Sequence, residues 1–368
     1  MSELQKTHKT FSNPISWWIL NILTTCFIAT AICAFTVRSA KTSGNIRVLR
    51  LGHGLSADHP VHQAMLHMSE RLRELSAGTM DLQIYPSGMI GSEDECFKQA
   101  QNAQIEFAKC SAAVLDGSVP EFQVVGAPFL FRDSDHFWAV MNGEIGKSLL
   151  RKIDGLMGIC YFDAGARSLY TTKKPVKTPA DMKGLKIRTQ KSSIAMQSME
   201  ALGASPTPIS WGELYTALSQ GTVDAAENNI PSFVTGRHFE VCKYFIFTEH
   251  QRVPDVLVMS KKIWDELSAE QKGWIEQAAA EANVFQRKAW RESEILNEEI
   301  AREAGVEFIN VDRTPFMEFS KPIYDAFPAD LQALHVFGGT HGLLRGVQAA
   351  GARVEIADAH QAVDLPQE

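Results

Sequence analysis

The sequence predicts an α/β protein of two lobes, each a sheet flanked by helices, with one long helix spanning both. Three observations carry this. Strand-like and helix-like segments alternate from Ile46 onward. The alternation starts afresh at "LMGICYFDAG", near Leu156. A stretch from Ser268 toward Gly305 keeps three-to-four apolar spacing for longer than a single small lobe could use.

Taken in order, "IRVLRLGH" is a short apolar strand. Asp58 and Pro60 open a helix with Ala64, Met68, Leu72 and Leu75 on one face, closed by Gly78. "DLQIYP" alternates like a strand, Ser92 and Glu95 form a capping box, and "QIEFAKC" returns as a strand. This rhythm argues for a parallel, doubly wound sheet. In the second half, Thr178 and Pro179 start a one-turn helix and "GLKIRTQ" is a strand. "SSIAMQSMEALG" is a helix stopped by Gly203. Ser210 and Glu213 read as another capping box before "LYTALSQG", and "TVDAAEN" follows as a strand. Ser268 and Gln271 cap the long helix, whose stripe runs through Trp274, Ala278, Ala282, Phe285, Ala289, Leu296 and Ile300. Thirty-odd residues would reach roughly 50 Å. The competing reading is a pair of helices broken near Arg291.

Composition excludes several functions. The 368 residues are 45% hydrophobic and 21% charged, enough for a full core and against global disorder. The net charge is −7 with no basic block, which argues against a nucleic-acid partner. The N-terminus stands apart: Lys6 and Lys9 precede "ISWWILNILTTCFIATAICAFTV", uncharged from Ile15 to Val37. A basic region before an apolar run is expected to be a cleaved secretory signal, ending after Ala34 or Ala40. At 23 residues the run is also long enough for an uncleaved anchor. Loss of residues 1–40 removes three cations and one carboxylate and leaves −9, so any bound anion must be held by local cations. Cys96, Cys110, Cys160 and Cys242 form no CxxC pair and lie in apolar surroundings, as free buried thiols do.

No nucleophile elbow, zinc-protease motif, P-loop or dinucleotide fingerprint is present, and no cofactor is expected. His59 and His62, three apart, are the one histidine pair worth weighing as a metal site. No further ligand follows at the right spacing, and the first turn of a helix explains them more simply. What remains is a set of polar residues at strand ends: Arg167 after "YFDAGA", Arg188 ending "GLKIR" and Asn228 in "AENN", with Trp211 at the head of a helix. Two guanidinium groups and an amide suit a carboxylate, which arginine grips through two parallel hydrogen bonds, and an aromatic wall suits the apolar side of a small molecule. Strand alternation alone puts Lys186 and Arg188 on the same face and does not separate them.

The segments "HGLSADHPVHQA", "PSGMIGSEDE", "APFLFRDSDH", "TPADMKGLKIRTQ", "ALGASPTPISWGELYTALSQGTVDAAENN" and "SKKIWDELSAEQKGWIEQAA" occur in this order. From about Ile46 to about Leu334 the chain resembles the extracytoplasmic solute-binding proteins of TRAP transporters, the DctP-type family. The resemblance implies a periplasmic binding protein, not an enzyme, whose lobes close on a small organic acid and pass it to sodium-driven integral-membrane TRAP subunits. It implies that Arg188 makes a two-pronged salt bridge to the ligand carboxylate, supported by Arg167, Asn228 and Trp211. It also places His53, Glu93 and Ser111 at the ligand's far end. The expected division is 46–165 with 254–293 as one lobe and 166–253 with 294–335 as the other. A divergent tail at 336–368 follows, expected to be loosely packed.

Glu93 and Glu227 would repel a second carboxylate and accept hydrogen bonds from hydroxyls, while Trp211 offers a flat face to a sugar ring. The expected cargo is therefore a sugar acid such as glucuronate or galacturonate. A C4-dicarboxylate is the alternative cargo, and a receptor feeding a sensor kinase is the alternative role.

Overall fold

The computed structural model describes residues 46–327. The segments expected as leader or anchor (1–40) and tail (336–368) lie outside the described residues. The chain opens with β1 (Arg47–Gly52), α1 (Pro60–Leu75), β2 (Met80–Tyr85), α2 (Glu93–Gln101) and β3 (Phe107–Ser111). Short helices α3 (Glu121–Val125), α4 (Ser134–Asn142) and α5 (Glu144–Arg151) lead to β4 (Leu156–Phe162). A second set follows: β5 (Arg167–Thr171), β6 (Lys186–Thr189), α6 (Ser193–Ala201), β7 (Ser205–Pro208), α7 (Trp211–Ser219), β8 (Ala225–Asn228), α8 (Ile230–Thr235) and β9 (Tyr244–Gln251). The chain then returns through β10 (Asp255–Ser260), α9 (Lys261–Asp265) and α10 (Ala269–Glu303), and goes on to β11 (Glu307–Asn310), α11 (Thr314–Glu318) and α12 (Lys321–Asp325).

The strands form two sheets, ordered β2-β1-β3-β10-β4 and β11-β9-β5-β8-β6-β7. Both are mixed, which corrects the expectation of a wholly parallel sheet. In the first, β10 inserts antiparallel between β3 and β4. In the second, β5 inserts antiparallel between β8 and β9. Each inserted strand is the one on which the chain enters a sheet after crossing from the other. Local periodicity carries no record of such a long-range return, and β5, β7, β9, β10 and β11 have no signature in the alternation described above.

Period-two alternation nevertheless explains the packing. On β10, Val256 and Val258 join Phe97, Phe122 and Trp138 on one side of the sheet. Leu257 and Met259 join Met65, Leu72 and Ile275 on the other. The same rule splits β5 and β9: Tyr170 and Phe245 face α7 and α8, whereas Leu169 and Ile246 face α6. Burying each such side chain contributes about 1.5–3 kcal/mol. The helix ends follow sequence logic at Ser92–Glu95 and Ser268–Gln271, where both capping boxes form. Gly203, just past α6, takes φ +81, a conformation that suits glycine. The Ser210–Glu213 box does not form: Ser210 makes no side-chain cap bond, and both residues line a cavity instead.

Helix α10 is continuous for 35 residues, so the break near Arg291 is not adopted. No glycine or proline interrupts it between Trp274 and Glu303. It packs on the first sheet through Ile275, Ala278, Ala282 and Trp290, and Ala301 near its end enters the core of the second. Its buried face is shifted from the expected stripe. Phe285, Leu296 and Ile300 are exposed, while Gln286 and Asn297 are buried. Gln286 is buried because it serves the crossing between sheets: its Oε1 accepts from the Asp163 N–H and its Nε2 donates to the Asp163 carbonyl, both at 2.8 Å.

Candidate functional site

A cavity of about 530 Å³ is lined by residues of both sheets. It lies where β3, β6 and β8 end, the usual ligand position in open α/β sheets. β5 runs against β8 with Ser168 opposite Asn228. The start of β5 therefore meets the end of β8, and this brings Arg167 to Asn228.

Arg188 is buried, and its Nε donates to the Ile209 carbonyl at 2.8 Å. No carboxylate lies within ion-pair distance of it among the described residues, so its forked Nη edge carries an unpaired charge. Burial holds its pKa below the usual arginine value. Lys186, two residues earlier on the same strand, is exposed.

Arg167 is equally buried but already paired. Its Nε and Nη2 donate to the Glu227 carboxylate, Nη2 also to the Glu227 carbonyl at 2.8 Å, and Nη1 to Asn228 Oδ1 at 2.9 Å. One Nη1 hydrogen remains from the five a guanidinium carries. Burial opposes the charge, but Glu227 outweighs it and raises the pKa. Glu227 is thus not the hydroxyl acceptor expected from sequence. It is 1% exposed and bound to Arg167, because neighbouring strand residues alternate sides and Asn228 takes the cavity side. Asn228 Oδ1 also accepts the Asn229 N–H at 3.0 Å, which leaves its Nδ2 to donate.

Trp211 lines the cavity at the start of α7 and packs against cores of both sheets. Its ring meets His238 edge-on at 4.9 Å. Ser111, at the end of β3, and Glu93, at the start of α2, line the wall contributed by the first sheet.

His53 does not line the cavity; it is fully buried behind the wall. Its Nδ1 accepts from the Leu55 N–H at 3.2 Å, so Nε2 carries the proton and donates to His62 Nδ1 at 3.0 Å. His59 takes the place on the wall that His53 was expected to hold. It caps α1 by accepting the Val61 N–H, and its Nε2 donates to Ser232 Oγ of α8 at 3.2 Å, bridging the two sheets. The histidine pair thus turns to separate partners, and among the described residues no His, Cys, Asp and Glu group is arranged to hold a metal.

Sequence reasoning also passed over Lys109 and Asp255, which line the same wall. Lys109 Nζ donates to Glu93 Oε1 at 2.5 Å and to Asp255 Oδ1 at 3.1 Å. For Lys109 a signal was available, a lone charge within the apolar run "FAKC"; Asp255 opens β10, a strand the sequence did not mark, and both strands are buried at every position.

The family model of bacterial extracellular solute-binding protein, family 7 (DctP), matches residues 51–330. This chain belongs to the DctP family of TRAP solute-binding proteins. It is 40% identical to a TRAP periplasmic solute-binding protein of a Bradyrhizobium species solved in complex with D-galacturonate, with TM-score 0.77 over 79% of this chain and 98% of the other. It is 34% identical to one from Pseudomonas putida F1 solved with bound D-glucuronate, with TM-score 0.76 over 78% of this chain and 95% of the other. The 2,3-diketo-L-gulonate-binding periplasmic protein of Escherichia coli K12 is 31% identical over 83% of this chain and 93% of its own length. DctP-family proteins are periplasmic solute-binding proteins rather than enzymes, as the resemblance implied.

The DctP fold here buries several neutral histidines behind its site. Burial lowers the pKa of His53 to about 2, of His238 to about 3 and of His250 to about 4, against an ordinary 6.5. In each case the unfolded chain takes up a proton first as pH falls. Their stabilising contribution is complete above about pH 6.5 and is lost as pH drops toward the folded values. Each contributes a slope of up to about 1.4 kcal/mol per pH unit. Thermal melts are expected to show a Tm that falls steadily from pH 6.5 to pH 4; a flat profile there would contradict the neutral assignment.

Proposed function

We propose that this protein captures a hexuronate, glucuronate or galacturonate, in the periplasm and delivers it to integral-membrane TRAP subunits. The observation that carries the reading is Arg188, a buried guanidinium whose Nη edge has no carboxylate among the described residues to neutralise it. A ligand carboxylate supplies that partner in the planar two-pronged geometry arginine favours. Asn228 Nδ2 and the remaining Arg167 hydrogen add donors, and Trp211 faces the C–H side of the ring. The relatives solved with galacturonate and glucuronate support the same cargo.

Residues 46–165 with 254–293 move against 166–253 with 294–335 in this reading. His59–Ser232 and the 2.7 Å Lys191–Asp94 bond join the two sides once they meet. The charge-free run at 15–37 serves export, as a signal or an anchor.

Calorimetry on the purified protein with glucuronate, galacturonate and succinate tests the cargo. At least one uronate is expected to bind with a Kd of about 1 μM or below, equivalent to about −8 kcal/mol, and succinate far more weakly. Binding of succinate alone would overturn the reading in favour of a C4-dicarboxylate.

A further inference from the structure

Lys109 is 1% exposed, yet it lines the cavity between two carboxylates. Two of its three ammonium hydrogens go to Glu93 and Asp255. Their attraction outweighs burial and raises its pKa, so the ammonium stays charged. One hydrogen is left over. Among the described residues the flanking carboxylates also keep acceptor capacity: Glu93 Oε2 receives only the Ser111 N–H at 3.4 Å, and Asp255 bonds Lys109 through Oδ1. The wall contributed by the first sheet therefore presents acceptor, donor, acceptor in sequence, with two negative charges to one positive.

We propose that Glu93, Lys109 and Asp255 form a subsite for a vicinal diol, with Lys109 donating to one sugar hydroxyl and the two carboxylates accepting from that hydroxyl and its neighbour. The inference rests on the hexuronate reading and goes beyond it by assigning the residues that choose the uncharged end of the ligand. A hydroxyl both donates and accepts, so adjacent hydroxyls satisfy all three groups at once. A carboxylate only accepts; it would leave Glu93 and Asp255 unmatched and meet a net negative wall. The same trio thus selects hydroxyls and rejects a second acid group. Lys109 has a further part as a positioning residue, since it holds the Glu93 carboxylate toward the cavity.

The test is calorimetry of the wild type, Lys109→Met and Glu93→Gln against three acids. These are a hexuronate, tetrahydropyran-2-carboxylate (the same ring and acid without hydroxyls) and galactarate (acidic at both ends). The wild type is expected to prefer the hexuronate over the ring acid by about 100-fold or more, the scale of two charge-assisted hydrogen bonds. Lys109→Met should cost the hexuronate at least about tenfold more than it costs the ring acid. Glu93→Gln keeps a hydrogen-bond partner for Lys109 while removing one charge, and should narrow the preference for hexuronate over galactarate by about tenfold. Equal losses for hexuronate and ring acid in Lys109→Met would overturn the diol subsite. If that variant does not fold, an unchanged galactarate preference in Glu93→Gln overturns it. Failure of the wild type to bind any hexuronate would instead sink the functional reading, which keeps the two outcomes separate.

Discussion

Arg188→Ala is expected to lower affinity for the acid by roughly 30-fold to several thousandfold, or about 2–5 kcal/mol. The size follows from burial. The guanidinium sits 3% exposed and, among the described residues, makes a single hydrogen bond, to the Ile209 carbonyl. Its charge is therefore barely screened by solvent, and a bound carboxylate that lost it would be desolvated without a counter-ion. Arg188→Lys is expected to recover only part of the loss, because an ammonium offers a point charge and no fork. Lys186→Ala is the control on the same strand: the residue is exposed, and its removal should shift binding or stability by no more than about 0.5 kcal/mol. Calorimetry on the three variants decides. Lysine at 188 binding as tightly as arginine would remove the bidentate account, and a large effect at 186 would remove the distinction between the two cations.

Glu227→Gln is expected to be the most damaging change to stability among those considered, at about 3–5 kcal/mol. It removes the one carboxylate that neutralises Arg167, where both side chains are almost fully buried, at 4% and 1% exposure. The wild-type pair need not be a large net stabiliser, since burying two charges is expensive. Breaking it is worse, because a guanidinium then stays in the interior alone. For a protein of this size the loss corresponds to a fall in Tm on the order of 10 °C. Arg167→Met combined with Glu227→Met should recover much of it by removing both charges together. A melt of Glu227→Gln within about 2 °C of wild type would show that Arg167 does not depend on Glu227. Acid weakens the same region independently, since His250 lies 3.8 Å from Glu227 and is held neutral by burial.

These two arginines show where sequence reading succeeds and where it stops. Both were legible as cations at strand ends, and both reach the cavity wall. Nothing in "DAGAR" or "AENN" says that Arg167 folds onto Glu227 while Arg188 finds no carboxylate among the described residues. That depends on β5 entering the second sheet antiparallel to β8, a pairing between residues some sixty positions apart. Histidine shows the same limit. "HGLSADHPVH" offers His53, His59 and His62 without ranking them. Only the hydrogen bonds turn His53 inward to His62 and His59 across to Ser232.

The long helix was legible because its evidence is local: a capping box, sustained helical spacing and thirty residues without glycine or proline. Which of its faces is buried was not. Gln286 is drawn inward by the Asp163 backbone and Phe285 is left outside, because the crossing segment between β4 and β5 needed hydrogen-bond partners more than the helix needed one more apolar contact.

By itself, then, the sequence determined the helices with their caps, about half of the strands, the two-lobed α/β plan and the family, all properties written in periodicity, capping and ordered motifs. Tertiary structure decided which charges are neutralised within the described residues and which are not. It buried Glu227 on Arg167, brought Lys109 between Glu93 and Asp255, and left Arg188 unpaired. Charge partnership depends on which strands lie side by side, and that is fixed by long-range pairing rather than by any residue's neighbours in the chain.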